Sequence, residues 1–479
     1  METLIQNICC IGAGYVGGPT MAVIADKCPH LIINVVDVNI ERIKAWNSHD
    51  LSKLPVFEPG LDEIIKRTRF KNLNFSCDVD ECIRKAQMVF ISVNTPTKKK
   101  GVGAGEASDL KYVEACARQV AKNATGHTIV IEKSTLPVKT AEVIKKILED
   151  YQIFSTNNNA KATFDVLSNP EFLAEGSAIN DLENPDRVLI GGQNEFAINA
   201  LSQIYSNWVP KNKILHTNIW SSELAKLTSN AFLAQRVSSI NAIGALCEAT
   251  GADVKEVARA IGTDTRIGSR FLDAGPGFGG SCFKKDILNL VYLSKHLGLV
   301  EVASFWEVVV SLNNWHQHRI SRLVVKNLFG TVTGKKICIL GFAFKANTND
   351  TRESAAINIC KDLIEEGAIL FINDPQVSPE QISKDLLFNE NKILRNIESQ
   401  NLLNYEGSWC FEDNIEIAAS NSDAIIILTE WDEYAEIDWK LISKKMRKPS
   451  WVFDARSIVN EKKVLAADLN LWKVGNGSI

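Results

Sequence analysis

Apolar residues along the chain fall into short dense runs, separated by stretches where they recur every three or four positions. Residues 7–16, NICCIGAGYV, form one run that ends on glycines. Residues 17–28 follow at helical spacing, and residues 31–39, LIINVVDVN, give a second run. Further runs lie at 88–94, 127–135 and 164–170, with helical stretches at 109–123 and 138–150 between them. Short unbroken apolar runs predict buried strands, and strands alternating with helices imply a parallel sheet with right-handed crossovers. Residues 155–161, STNNNAK, read as a polar loop.

The texture changes at Ser221. Residues 224, 227, 231 and 234 are apolar at helical spacing, with Ser221 or Ser222 placed to cap the helix and Gly251 to end it. A helix of roughly 28 residues would span about 40 Å, which suits a spine between domains or a dimer interface. Dense runs return at 335–344, 369–375, 422–431 and 450–456, and ICILGFAF matches ICCIGAGYV in texture. Residues 376–416 are polar and irregular and are expected to form a loop. The pattern predicts an α/β fold with two doubly wound Rossmann-like domains joined by a long central helix. The expected domains are 1–220, 221–330 and 331–479.

Composition narrows the function. The 479 residues carry 53 Lys and Arg against 57 Asp and Glu, with no basic stripe, so nucleic acid is not expected as a partner. No stretch of 18 apolar residues occurs, so no membrane span is expected. The eleven cysteines are scattered, which fits a reducing cytoplasm better than a disulfide framework. HQH at 316–318 would point its two histidines apart on a helix, and no metal site is expected.

Two glycine clusters carry the chemistry. In GAGYVG, Gly12, Gly14 and Gly17 stand between a strand and a helix, with Ala13, Tyr15 and Val16 among them. The first glycine permits a tight turn, the second lets backbone approach a pyrophosphate, and the third allows close packing, with phosphate at the helix N-terminus. Asp37 ends the second strand, where it can accept bonds from ribose hydroxyls, so NAD is expected rather than NADP. Arg42, one turn on, is placed to stack on adenine or reach a phosphate. The strand ends that would face the same crevice add Val93, Asn94, Thr95, Pro96 and Thr97, and Ser134, Thr135 and Leu136.

The second cluster, AGPGFGGSCFKKD, puts Cys282 at the start of a helix with Lys284 and Lys285 beside it, an environment that favours thiolate. Asp286 lies one turn along. Glycines such as Gly277, Gly279 and Gly280 read as exposing backbone around the thiol rather than as serving packing. A nicotinamide domain plus a reactive cysteine suggests oxidation of an aldehyde through a thiohemiacetal and a thioester to an acid.

With GAGYVG, NTPT, EKST, NPEFLAEG, ELAKLTSNAFLA, GFGGSCFKKD, GFAFKANTNDTRES and FDAR in this order, the chain resembles the UDP-glucose 6-dehydrogenases over nearly its whole length, and the animal members most. That resemblance implies two NAD-dependent steps from UDP-glucose to UDP-glucuronate, a precursor for glycosaminoglycans and other polysaccharides. It implies Cys282 as nucleophile, with Thr135 and Asp286 positioning water or assisting proton transfer. Lys226 would stabilise the oxyanion, and Asn230, on the same helix face, would hold sugar oxygens. Phe344 and Lys345 resemble substrate contacts, Arg456 the arginine on the sugar, and Arg352 a residue reaching the cofactor, with Lys285 also near it. Phe271, Asp273, Gly277, Phe278 and Gly279 would line the substrate loop. Arg266 would cross a subunit interface to the diphosphate, in a homo-oligomer assembled as a hexamer, a trimer of dimers. Inhibition by UDP-xylose is a further implication. Asp273 stands where animal members carry lysine, Gly275-Pro276 looks bacterial, and Ala346 and Asn347 replace a basic and an acidic residue.

NPEFLAEG, which begins at Asn169, holds two carboxylates. Glu171 resembles the family's acid/base residue, and its flanking Phe172 and Leu173 would raise its pKa. Glu175 resembles a carboxylate near nicotinamide and substrate, and the backbone of Phe172, Leu173 and Ala174 would face the diphosphate or uridine. Three other readings stay open: a sibling enzyme for GDP-mannose or a UDP-N-acetyl sugar, a hydroxyacid dehydrogenase, and a non-catalytic NAD-binding regulator.

Overall fold

The computed structural model describes residues 5–154, 162–396 and 407–477. The polar stretch 155–161 lies outside them, as does part of 376–416. The chain divides into two compact units, residues 1–229 with 288–299, and residues 230–287 with 300–479.

The first unit is built on an eight-stranded sheet. Its strands are β1 (Asn7–Ile11), β2 (Ile32–Val36), β3 (Leu73–Ser76), β4 (Met88–Ile91), β5 (His127–Glu132), β6 (Thr163–Ser168), β7 (Val188–Gly191) and β8 (Ile214–Thr217). They lie in the order β3-β2-β1-β4-β5-β6-β7-β8, all parallel except where β6 meets β7. β1 shows why its run is unbroken. Ile8 and Cys10 pack into the core on one face, while Cys9 and Ile11 pack into the core on the other. A parallel sheet covered on both faces requires apolar residues at every position. Each fully buried isoleucine or valine contributes about 1.5–3 kcal/mol.

The second unit holds a six-stranded, fully parallel sheet. Its strands are β9 (Lys336–Leu340), β10 (Ile369–Asn373), β11 (Ser408–Phe411), β12 (Ala424–Ile427), β13 (Trp451–Asp454) and β14 (Asn470–Lys473), in the order β11-β10-β9-β12-β13-β14. In each sheet the order reverses beside the first strand, between β1 and β4 and between β9 and β12. That reversal is where doubly wound sheets bind ligands.

The long helix runs Ile219–Thr250, 32 residues. It starts before Ser221 and Ser222, which lie inside it, and the capping oxygen is Asn218 Oδ1, 2.8 Å from the Ser221 amide. Asparagine is as good an N-cap as serine, and its earlier position lengthens the helix beyond the expected 28 residues. Gly251 ends it with φ +83°. Residues 376–416 are not simply loop. They contain a helix at Pro379–Leu386, capped by Ser378, and the strand β11. Proline at the first helical position reads as a loop signal but starts this helix. Among the described residues, no helix is long and apolar enough to cross a membrane.

Candidate active site

In the first unit, β1 ends at Gly12, whose φ is +111°; a Cβ there would lie 2.1 Å from the Ser92 carbonyl oxygen. At Gly17 a Cβ would lie 2.0 Å from the Gly12 oxygen, whereas at Gly14 it would meet nothing within 4 Å. The outer two glycines are demanded by the protein's own packing, and the middle one leaves open backbone. The helix Gly17–Lys27 begins at Val16, with no side-chain cap and no acidic residue in its first turn. No side-chain cap or carboxylate occupies its positive end, which favours an anion, although the Gly18 amide bonds the Gly14 carbonyl at 3.1 Å and Pro19 has no N–H. These residues fit the pyrophosphate of a dinucleotide.

Asp37 is buried and accepts from the Ala13 amide at 3.0 Å and the Asn39 amide at 2.9 Å. Arg42 Nη1 pairs with its Oδ2 at 3.0 Å. The arginine that sequence placed near adenine or phosphate therefore also holds Asp37. The strand-end loops are stitched together. Thr95 Oγ1 donates to the Thr135 carbonyl at 3.1 Å, and Ser134 Oγ to the Val93 carbonyl at 2.7 Å. Glu223 in the long helix accepts the Lys139 amide at 2.7 Å and the Ala141 amide at 2.9 Å, which anchors the segment after Leu136.

Glu171 follows β6 and does not behave as expected. Burial alone would push its carboxyl up, but Lys133 opposes this by charge and hydrogen bond, with help from the Phe172 amide and Lys226. The net direction is downward. Lys133 Nζ lies 2.8 Å from Glu171 Oε2. Glu171 Oε1 accepts the Phe172 and Leu173 amides at 2.8 and 3.2 Å, so of the backbone expected to face the diphosphate or uridine these two N–H groups are already engaged. The Ala174 amide donates to Asp181 at 2.9 Å, and Glu175 is half-buried. Lys226 is buried, 5.2 Å from the Phe172 ring centroid, and Arg187 covers the same ring at 3.8 Å. Sequence reasoning missed Lys133 and Arg187. Lys133 stands inside EKST, but its partner lies 38 positions away and only folding brings the two together.

In the second unit, Cys282 immediately precedes the helix Phe283–His296 and is partly exposed. Its carbonyl accepts the Asp286 amide at 2.9 Å, and Ser281 Oγ is 3.5 Å from its Sγ. Asp286 is almost fully buried; Asn230 Nδ2 lies 2.5 Å from it and Lys285 Nζ 3.7 Å. Lys284 instead pairs with Glu353 at 2.8 Å, so its charge is shared with a carboxylate.

The glycines around Cys282 do serve packing, contrary to the sequence reading. A Cβ at Gly279 would lie 2.6 Å from the Glu353 oxygen and 2.9 Å from Phe344 Cβ. One at Gly280 would press on the Phe344 ring, and one at Gly277 would lie 2.8 Å from Asn313 Oδ1. The Gly280 amide donates to the Arg352 carbonyl at 2.8 Å. The cysteine loop is therefore moulded onto the segment that carries Phe344, Lys345 and Arg352. Asn313 also brackets Phe278, accepting its amide at 2.9 Å and donating to its carbonyl at 3.1 Å.

Arg456 donates to the Phe344 carbonyl at 2.7 Å and the Leu428 carbonyl at 2.8 Å, and pairs with Glu430 at 3.0 Å. Lys345 Nζ lies 5.8 Å from the Phe344 ring centroid. Arg352 is bidentate on Asp350, at 2.8 and 2.6 Å. Arg266 is exposed and clamps Asp264 at 2.6 Å; Phe271 and Asp273 are exposed nearby in sequence. His316 is buried with Nε2 2.8 Å from the Gly275 carbonyl, and burial pushes its pKa down to about 4. His318 faces Asp362 at 2.8 Å. Among the described residues no cluster of His, Cys, Asp or Glu has a metal-holding arrangement.

Two Rossmann-like sheets, an open glycine turn after β1 and a thiol at the start of the helix Phe283–His296 are the features of a dinucleotide-dependent oxidoreductase. The chain belongs to the UDP-glucose/GDP-mannose dehydrogenase family. It matches that family's NAD binding domain over residues 6–209, its central domain over 220–315 and its UDP binding domain over 338–461. It is similar to UDP-glucose 6-dehydrogenase of Gallus gallus, 54% identical over 95% of this chain and 90% of that protein. The enzyme of that name from Drosophila melanogaster is 51% identical over 98% of this chain and 96% of its own. Among solved structures, the UDP-glucose dehydrogenase of Pyrobaculum islandicum superposes with a TM-score of 0.82 at 28% identity, covering 99% of this chain and 98% of that one. The cofactor is NAD.

Proposed function

We propose that the protein oxidises the C6 alcohol of UDP-glucose to the carboxylate of UDP-glucuronate in two NAD-dependent steps. The observation that carries this is identity above half with UDP-glucose 6-dehydrogenases over nearly the whole chain. NAD, when bound, supplies the hydride acceptor for each step. Lys226, buried and cationic, steadies the oxygen as it gains negative charge. Cys282 adds to the aldehyde carbon, and the second oxidation leaves a thioester. Thr135, Glu171 and Asp286 place and deprotonate the water that releases the acid, and Asn230 orients Asp286 while holding sugar oxygens. Lys345 and Arg456 supply positive charge for the UDP-sugar, and Phe344 shapes its seat. Turnover of a panel of nucleotide sugars tests the assignment. UDP-glucose should exceed GDP-mannose and UDP-N-acetyl sugars by orders of magnitude, and no reaction with UDP-glucose would sink it.

The division into domains at 1–220, 221–330 and 331–479 belongs to the same reading, with cofactor, assembly and UDP-sugar roles in turn. Large exposed apolar residues of the central helices, Phe232, Leu246, Phe305 and Val308, offer surface to a homo-oligomer contact. Arg266 would then complete a neighbour's diphosphate site. All eleven cysteines are free, which supports a reducing, cytoplasmic setting.

A further inference from the structure

Glu171 sits at the centre of a buried polar cluster wholly within the first unit. Lys133, just past β5, is 3% exposed and places Nζ 2.8 Å from Glu171 Oε2, 3.0 Å from Asn169 Oδ1 and 3.3 Å from the Tyr205 hydroxyl. The Tyr205 hydroxyl donates to Asn169 Oδ1 at 2.7 Å, and Asn169 Nδ2 donates to the Leu189 carbonyl at 2.8 Å. The ammonium is thus held from three sides and has little freedom to leave the carboxylate. A carboxylate offers about four acceptor positions. Lys133 and the amides of Phe172 and Leu173 occupy three of Glu171's. The remaining one can take a water O–H.

The charged groups around Glu171 come from several elements. They are Lys133 after β5, Lys226 on the long helix and Arg187 just before β7; the titratable but neutral Tyr205 ends the helix Glu195–Tyr205. Lys133, Lys226 and Arg187 are all cations, and Lys133 and Lys226 favour the ionised carboxyl despite its burial.

We infer that Lys133 is a positioning residue, whose buried ammonium fixes Glu171 as a permanent carboxylate that serves as base and never as acid near neutral pH. The inference rests on the proposed role of Glu171 in releasing the acid from the thioester. In that step a water proton passes to Glu171 while the water oxygen bonds to the thioester carbon. The carbon–sulfur bond breaks, and Cys282 leaves as thiolate. No electrons change hands, and the proton on Glu171 returns to the thiolate or to solvent. A glutamate whose pKa stood above the working pH would begin the step protonated and could not accept that proton.

The test is the pH dependence of kcat with UDP-glucose for the wild-type enzyme, Lys133→Met and Lys133→Arg. Removing the charge should move the acid limb up by about one pH unit or more, through kcat rather than KM, and arginine should restore it. A purely structural lysine would lower activity at every pH and leave the limb in place; a folded Lys133→Met enzyme with the wild-type limb overturns the inference. Should Lys133→Met not fold, the carboxyl of Glu171 is titrated by carbon-13 NMR in the wild-type protein, with Glu171→Gln identifying its signal. Titration below the ordinary glutamate range supports the inference, and titration at or above that range overturns it. Failure of the wild-type protein to oxidise UDP-glucose would instead refute the functional reading, and the NMR titration would still decide the ionisation of Glu171.

Discussion

Both sheets end their first central strand on a glycine of positive φ and the neighbouring strand near an aspartate: Gly12 and Asp37 in one, Gly341 and Asp374 in the other. A Cβ on either glycine would collide with the strand beyond the switch point, at Ser92 or at Thr429. The turns diverge from there. Asp37 accepts two amides and pairs with Arg42. Asp374 accepts four, from Phe342, Ala343, Gln376 and Val377. The helix after the first turn starts bare at Val16. The helix Ala355–Glu365 after the second is capped by the Ser354 side chain. On the proposed reading, one topology would serve two kinds of anion site. The first uses open backbone at a helix end, as a dinucleotide requires. The second has a side-chain cap on its helix, so on the proposed reading an anionic ligand there would draw on side-chain cations such as Lys345 and Arg456.

The largest effect that bears on this contrast comes from the thiol in the second unit. Cys282→Ser should lower acid formation by at least about a thousandfold while NAD affinity, measured by fluorescence titration, stays unchanged; normal acid yield would remove the thiol from the chemistry. Next come the paired aspartates. Asp37→Asn should weaken NAD about tenfold or more, for about 1.4 kcal/mol or more of lost binding, with a smaller loss of thermal stability than Asp374→Asn. Asp374→Asn should cost about 2 kcal/mol of stability and leave the NAD Kd alone. Equal outcomes for the two would erase the contrast. Gly14→Ala should weaken NAD several-fold yet fold normally, because nothing lies within 4 Å of the new methyl; an unfolded product would show the residue to be structural. The smallest change is Ser354→Ala, expected to cost about 1 kcal/mol of stability with no effect on NAD. Val16→Asp should do the reverse, supplying a cap and repelling phosphate.

The same contrast explains what the sequence made legible. The central strands β1, β4, β9 and β12 are buried on both faces, so their runs are unbroken and easy to read. β8 and β14 lie at sheet edges, are four residues long and carry exposed polar positions, so their runs look like loop. The glycines of GAGYVG were legible as a tight turn because local packing demands them at Gly12 and Gly17. Those before Cys282 were misjudged, because Phe344 and Glu353, which press on them, lie some 70 residues later in the chain. Glu171 was misjudged for the same reason: its apolar neighbours in sequence, Phe172 and Leu173, do not set its ionisation, and Lys133 does.

The central claim is that one chain couples an NAD site to a thiol and performs two oxidations on one UDP-sugar. The most direct measurement is the yield of NADH from a limiting amount of UDP-glucose with excess NAD, followed by absorbance to completion. The account predicts two NADH for each UDP-glucose consumed, with UDP-glucuronate as the product. One NADH with an alcohol oxidised only to the aldehyde, or none at all, would contradict it.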